Sequence, residues 1–266
     1  MPHPSGLITM LTDFGDRDTF VASMKGVILT INPRATFVDL SHHVPSHSIE
    51  TAAYLLHSSY RYFPEGTVHV AVVDPGVGSG RRALIAKSGR YFFLAPDNGL
   101  LTYVFAESGE MEVREIENQA YRLPSVGSTF DGRDLFAPAA AWLTTQQSFE
   151  SFGRLVTDCK TFTIATPVWE GKILVGAIIH VDRFGNLISN LTRQDLDEVR
   201  AVMKGRQPSI RIGKQMIEGL VVSYSEGTER QLSALINSDG KLEIFVKEAS
   251  AADLLKEGRG ARVEVS

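Results

Sequence analysis

Four short clusters in this sequence gather residue types that can bind or activate a small molecule. Thr12-Asp13-Phe14-Gly15, followed by Asp16 and Asp18, sets carboxylates beside an aromatic ring. Asp74-Pro75-Gly76-Val77-Gly78-Ser79-Gly80-Arg81 carries a carboxylate and a guanidinium at the two ends of a glycine-rich loop. Thr129-Phe130-Asp131-Gly132-Arg133-Asp134 and Asp182-Arg183-Phe184-Gly185-Asn186 complete the set. A carboxylate can orient a water and take its proton, or complement a cation, and a nearby arginine keeps it ionised. Each cluster also has a plainer use. Asp13 and Asp18 could cap a helix starting near Thr19. Asp74-Pro75-Gly76 could be an ordinary turn, the third cluster a helix cap with a surface ion pair, and the fourth a hairpin turn.

Other chemistries are excluded. A phosphate-binding loop needs Lys and Ser/Thr after its last glycine, and Arg81-Arg82-Ala83 stands there. The dinucleotide fingerprint fails because Arg81 occupies its last glycine position. His42 and His43 adjoin a strand end, but no His-x-x-x-His spacing with acidic partners occurs, so no metal site is expected. The single cysteine, Cys159, allows no intrachain disulfide and no thiolate zinc cluster. With 27 basic and 31 acidic residues the net charge is −4, without the basic excess typical of nucleic-acid binding. The N-terminus lacks the basic start and apolar core of a signal peptide, and no apolar run approaches the roughly 20 residues of a membrane span. A cytoplasmic protein with no membrane and no nucleic-acid partner is therefore expected, and Asn190-Leu191-Thr192 is not expected to carry a glycan.

The elements that must position these clusters are legible from periodicity. Leu7–Leu11 reads as a strand, and Phe20, Val21, Met24, Val27, Ile28 and Ile31 share one helical face. Phe37–Leu40 is a second strand, and Ile49, Ala52, Ala53, Leu56, Tyr60 and Phe63 mark a second amphipathic helix. Thr67–Val73, Ala83–Ala86 and Tyr91–Leu94 read as strands, and Leu135–Leu143 as an Ala-rich helix. This alternation predicts an α/β domain with a mostly parallel sheet between helices. The character changes near Thr166-Pro167. Ile173–Val181, Ser209–Ile212, Leu220–Tyr224, Gln231–Ile236, Lys241–Val246 and Ala261–Val265 read as strands, with one helix over Leu191–Met203. The expectation is an α/β domain over 1–165 and a smaller, mostly antiparallel β domain over 172–266. Polar residues at the carboxyl ends of parallel strands, as in the first two clusters, are where open α/β sheets bind ligands.

Taken in order, the clusters resemble one family along nearly the whole chain: the S-adenosylmethionine hydroxide adenosyltransferases, or S-adenosylmethionine hydrolases, relatives of the bacterial fluorinase and chlorinase. The resemblance implies an N-terminal α/β and a C-terminal β domain, and a homotrimer with active sites at subunit interfaces. It implies displacement of methionine from the 5′ carbon of S-adenosylmethionine, with no cofactor. Asp13 then matches a ribose-binding aspartate, with Phe14 beside it, and Asp18 an acid near the methionine amino group. Asp74 and Arg81 match two members of the hydrolases' catalytic triad. Asp182, Phe184 and Asn186 match the adenine-side segment, and Asn237 and Ser238 the segment near the methionine carboxylate. The fluorinase carries tyrosine at the Asp74 position and a halide-binding serine at the Gly132 position, so both residues favour water as nucleophile. One departure stands out: the family's third triad member is a histidine, and this chain has Asp131. The resemblance therefore implies a hydrolase with Asp74, Arg81 and Asp131 as its catalytic set. A protein that binds S-adenosylmethionine or adenosine without turnover, or a halide-using synthase, remains open at this point.

Overall fold

A computed structural model describes residues 3–124, 127 and 129–266. The chain divides into two compact units, Met1–Thr163 and Ile164–Ser266.

In the N-terminal unit, β1 (Leu7–Thr12), α1 (Phe20–Ile31), β2 (Thr36–Ser41), α2 (Ile49–Ser59) and β3 (Val68–Val72) alternate. They are followed by β4 (Ala83–Lys87), β5 (Phe92–Pro96), α3 (Thr102–Glu107), β6 (Glu112–Glu115) and α4 (Ala137–Thr144). The sheet order is β2-β1-β3-β5-β4-β6. β2, β1, β3 and β5 run parallel, whereas β4 pairs antiparallel with both β5 and β6. The short β4–β5 connection dictates that reversal, because a parallel pair needs a long crossover.

Both faces of the sheet are covered, which explains why β3 is buried from end to end. Strand alternation divides its side chains between two cores. Ile8, Met10, Val68, Val70 and Val72 pack with Met24 and Ile28 of α1 and the alanines of α4. Leu11, Ala71 and Val73 point the other way, onto Ala52 and Leu56 of α2. α4 begins one π-helical turn after Asp131, where the Ala137 amide donates to the Gly132 carbonyl.

The C-terminal unit adds β7 (Val168–Glu170), β8 (Ile173–Val181), β9 (Leu187–Thr192), α5 (Arg193–Val202), β10 (Ser209–Ile212) and β11 (Gln215–Glu218). β12 (Leu232–Ile236), β13 (Lys241–Val246), α6 (Ala251–Leu255) and β14 (Arg262–Val265) complete it. The order β11-β10-β14-β8-β9-β13-β12 is antiparallel throughout, with β7 also on β8. Its core holds Leu174, Ile178, Leu187, Leu191, Ile210, Ile244 and Val263. The expected helix over Leu191–Met203 starts only at Arg193, because Leu191 and Thr192 finish β9 and Thr192 and Asp195 form a reciprocal capping box. Leu220–Tyr224 is not a strand: Val222 is 86% exposed and only the Val221 amide reaches β12, at the Ala234 carbonyl. Among the described residues, no helix is long and apolar enough to cross a membrane.

Candidate active site

The loop after β3 and the turn before α4 bring together three residues far apart in sequence. Arg81 donates from Nε to Asp74 Oδ2 at 2.8 Å, and its Nη2 bonds both that oxygen and Asp131 Oδ2. The Asp74 and Arg81 side chains are 5% and 7% exposed, and Asp131 is 22% exposed. Burial pulls the Arg81 pKa down, but hydrogen bonding and charge from Asp74, then from Asp131, outweigh it, so the guanidinium is held above its ordinary value. Its carbon also sits 5.6 Å from the Phe136 ring centre. The cation thus separates two like charges. Asp74 Oδ1 is buried and, among the described residues, has no hydrogen-bond partner. One oxygen of this carboxylate is fixed by Arg81 and the other is buried without a partner among the described residues.

The turn at the end of β1 is held separately. Asp13 Oδ2 accepts the His47 amide at 2.9 Å, and the Gly15 amide reaches the His42 carbonyl at 2.7 Å. Thr12 Oγ1 meets His42 Nδ1 at 2.9 Å. His42 Nε2 lies 3.1 Å from Asp39 Oδ1, near enough for an ion pair but without hydrogen-bond geometry. Asp13 and Asp18 do not cap α1, whose N-cap residue is Thr19, with no side-chain cap hydrogen bond. Asp18 is exposed, with no hydrogen bond among the described residues. Phe14 joins this turn to the Asp131 segment: its ring lies 5.8 Å from that of Phe130. A Cβ at Gly132 would lie 3.1 Å from Phe130, 3.2 Å from Met24 and 3.2 Å from Phe14. The room beside Gly132 is already filled by apolar side chains.

In the C-terminal unit, the Asp182 cluster is the β8–β9 turn. Asp182 Oδ1 accepts the amides of Phe184 and Asn186, and Oδ2 accepts Asn186 Nδ2, all at 2.9 Å. Gly185 has φ +83°, and a Cβ there would lie 2.1 Å from Ser250 Oγ, so the turn admits only glycine without displacement. The turn lines a cavity of about 680 Å³ with Tyr224, Phe245, Lys247 and Ser250, a size within the roughly 300–1,000 Å³ usual for small-molecule sites. Phe184 stands 76% exposed at its edge. Asn237 Nδ2 donates to Glu243 Oε2 at 3.0 Å, while its Oδ1 accepts the Asp239 and Lys241 amides of the β12–β13 turn. Ser238 is exposed in that turn and does not line the cavity.

Residues 8–153 match the SAM hydroxide adenosyltransferase N-terminal domain, and residues 176–264 match its C-terminal domain. The chain belongs to this family. It is 35% identical over 94% of its length to a protein of Methanocaldococcus jannaschii named (R)-S-adenosyl-L-methionine hydrolase, covering 91% of that protein. A protein of the same name from Thermus thermophilus is 36% identical, with 96% of this chain and 98% of that one covered. A fluorinase from an Actinoplanes species is 30% identical over 72% of this chain and 74% of its own. Among solved structures, an uncharacterized conserved protein from Thermotoga maritima superposes with a TM-score of 0.88 at 33% identity, covering 97% of this chain and 99% of that one.

Sequence reasoning singled out Asp74, Arg81 and Asp131, and the fold joins them directly. Asp182, Phe184 and Asn186 share one turn on one cavity. Tyr224, which lines the same cavity, and Glu243 beneath it were missed. Tyr224 was read as the end of a strand, and Glu243 sits in an apolar strand pattern that hides a buried carboxylate. The signal that could have found Glu243 is an acid inside Leu242–Val246, a run otherwise apolar.

Proposed function

We propose that this protein hydrolyses S-adenosylmethionine to adenosine and L-methionine, with Asp74, Arg81 and Asp131 as the catalytic set. The observation that carries the reading is the Asp74 carboxylate: Arg81 fixes it through Oδ2 and leaves the buried Oδ1 unpaired. The hydrolase names of the full-length relatives support the substrate. In the reaction, a water held by Asp74 Oδ1 attacks the 5′ carbon opposite the sulfur. The new C–O bond forms as the C5′–S bond breaks. The sulfonium keeps that electron pair and leaves as the neutral thioether of methionine, so no general acid is needed. The water's proton passes to Asp74 and then to solvent. Positioning of this kind supplies up to about 7–11 kcal/mol, and a general base typically adds about 10²–10⁴-fold. Asp131 holds the far side of Arg81 and adds negative charge to a pocket for a cationic substrate. Asp13, Phe14 and Asp18 take the ribose and methionine side. Asp182, Phe184 and Asn186 take the adenine, and Asn237 and Ser238 the methionine carboxylate.

We assign the assembly by the same resemblance to a homotrimer, in which the cavity of one subunit completes the site of its neighbour. Light scattering of the purified chain tests this: a monomer mass at assay concentration contradicts it. Halide use is disfavoured by Gly132 itself, where a larger side chain would press on Phe130, Met24 and Phe14. Incubation with S-adenosylmethionine, with and without chloride, and chromatography of the products tests the activity. Adenosine and methionine in equal amounts, independent of chloride, are expected. Binding without products leaves only a binding protein, and a 5′-chloro nucleoside indicates a halogenase.

A further inference from the structure

Glu243 has no part in the chemistry above, yet it is one of the most deeply buried acids in the chain, 3% exposed in the middle of β13. Burying a carboxylate is costly unless its oxygens are hydrogen-bonded. Here each oxygen accepts from a different donor: Oε1 from the Tyr224 hydroxyl at 2.6 Å, Oε2 from Asn237 Nδ2 at 3.0 Å. Those donors come from separate loops. Tyr224 opens the short 3₁₀ turn Tyr224–Glu226, and Asn237 begins the β12–β13 turn. The Tyr224 ring stands edge-on to Phe245, centres 5.0 Å apart, and both rings line the cavity that carries Asp182 and Asn186. Burial, the bond to Glu243, and the charges of Glu243 and Asp182 raise the Tyr224 pKa above its ordinary value, so its hydroxyl remains a donor.

We propose that Glu243 is a positioning residue for substrate: it ties the Tyr224 wall to the Asn237 turn and thereby sets the shape of the nucleoside cavity. The inference rests on the reading that this cavity takes the adenosine part of S-adenosylmethionine. Two loops that share one buried carboxylate move together. Losing either hydrogen bond frees the Tyr224 ring to turn on Phe245 without touching the Asp74 cluster. Substrate affinity, not the rate of the bound complex, is the quantity Glu243 controls.

The test uses the full-length protein, with adenosine as the binding probe and S-adenosylmethionine as substrate. Glu243→Gln keeps the size of the side chain and removes its charge. Tyr224→Phe removes only the hydroxyl. Each variant removes a charge-assisted hydrogen bond, so each should weaken adenosine binding and raise KM by about tenfold or more, with kcat within about twofold. The two changes should not add, because they break the same link. Equal affinity for wild type and Tyr224→Phe, or fully additive losses, overturns the proposal. If Glu243→Gln fails to fold, Tyr224→Phe decides it alone by the same KM-against-kcat split. A wild-type protein that does not bind adenosine at all instead removes the reading of the cavity on which the inference rests.

Discussion

In the N-terminal unit two carboxylates share the Arg81 guanidinium, while in the C-terminal unit Asp182 and Glu243 are held by backbone amides, two carboxamides and a phenol. The difference lies in how many oxygens are used. Asp182 and Glu243 have both oxygens occupied by the protein's own donors, so they build turns and walls. Asp74 has both of its arginine bonds on one oxygen, and the other is left over in a buried place. A cation also suits this role better than a neutral donor, because it favours the ionised carboxylate without consuming its second oxygen. Reactivity is therefore expected at Asp74, whose spare oxygen is buried, and positioning at Asp182 and Glu243, which have none to spare.

The contrast breaks most readily at Asp74. Asp74→Asn keeps the shape but removes the base, and kcat should fall by about 10²–10⁴ with adenosine affinity unchanged within a few-fold. Steady-state kinetics beside calorimetric binding reads both. A loss of affinity with unchanged kcat would place Asp74 among the binding residues instead. On the other side, Asp182→Ala removes three hydrogen bonds from the β8–β9 turn. Phe184 is exposed, but Asn186 is buried and loses its acceptor at a cost of about 1–3 kcal/mol, so adenosine binding should weaken by about tenfold while kcat at saturating substrate stays within a few-fold.

Acidity offers a sharper separation of fold from site. His69, stacked on Phe93 and bonded through Nδ1 to Thr9, is buried, and burial pushes its pKa from the ordinary 6.5 down to about 3. It is neutral when folded but takes a proton readily when unfolded. Its contribution to stability is therefore complete above about pH 6.5 and is lost as the pH falls toward 3. Urea midpoints should drop across that window, and His69→Gln should flatten the drop. If the slope is unchanged in the variant, other groups control acid unfolding. The smallest effect is expected at Asp131→Asn. That side chain is more exposed than Asp74 and, among the described residues, hydrogen-bonds only Arg81, so kcat should fall less than in Asp74→Asn. An equal or larger fall would make Asp131 the base.

Much of this was readable in the sequence, for physical reasons that also explain the failures. A short apolar run over Leu7–Leu11 and a 3.6-residue face in Phe20–Ile31 betray elements packed on one core. β9 and β11 escaped notice because short strands gain their identity from partners far along the chain, and Leu187–Thr192 runs straight into a helix. Leu220–Tyr224 looked like a strand by composition, but without a ladder partner its side chains lie open to solvent. The acid-arginine cluster was visible as motifs. Its geometry was not, because Asp131 reaches Arg81 only through the π-helical turn that precedes α4.

A single turnover in heavy-oxygen water tests the division between the two regions most directly. With enzyme in excess over S-adenosylmethionine, Asp74 acting on water predicts that the first adenosine formed carries the heavy oxygen at its 5′ hydroxyl. Unlabelled adenosine, with the label found in the Asp74 carboxylate, would mean that Asp74 itself attacks carbon, and would contradict the account.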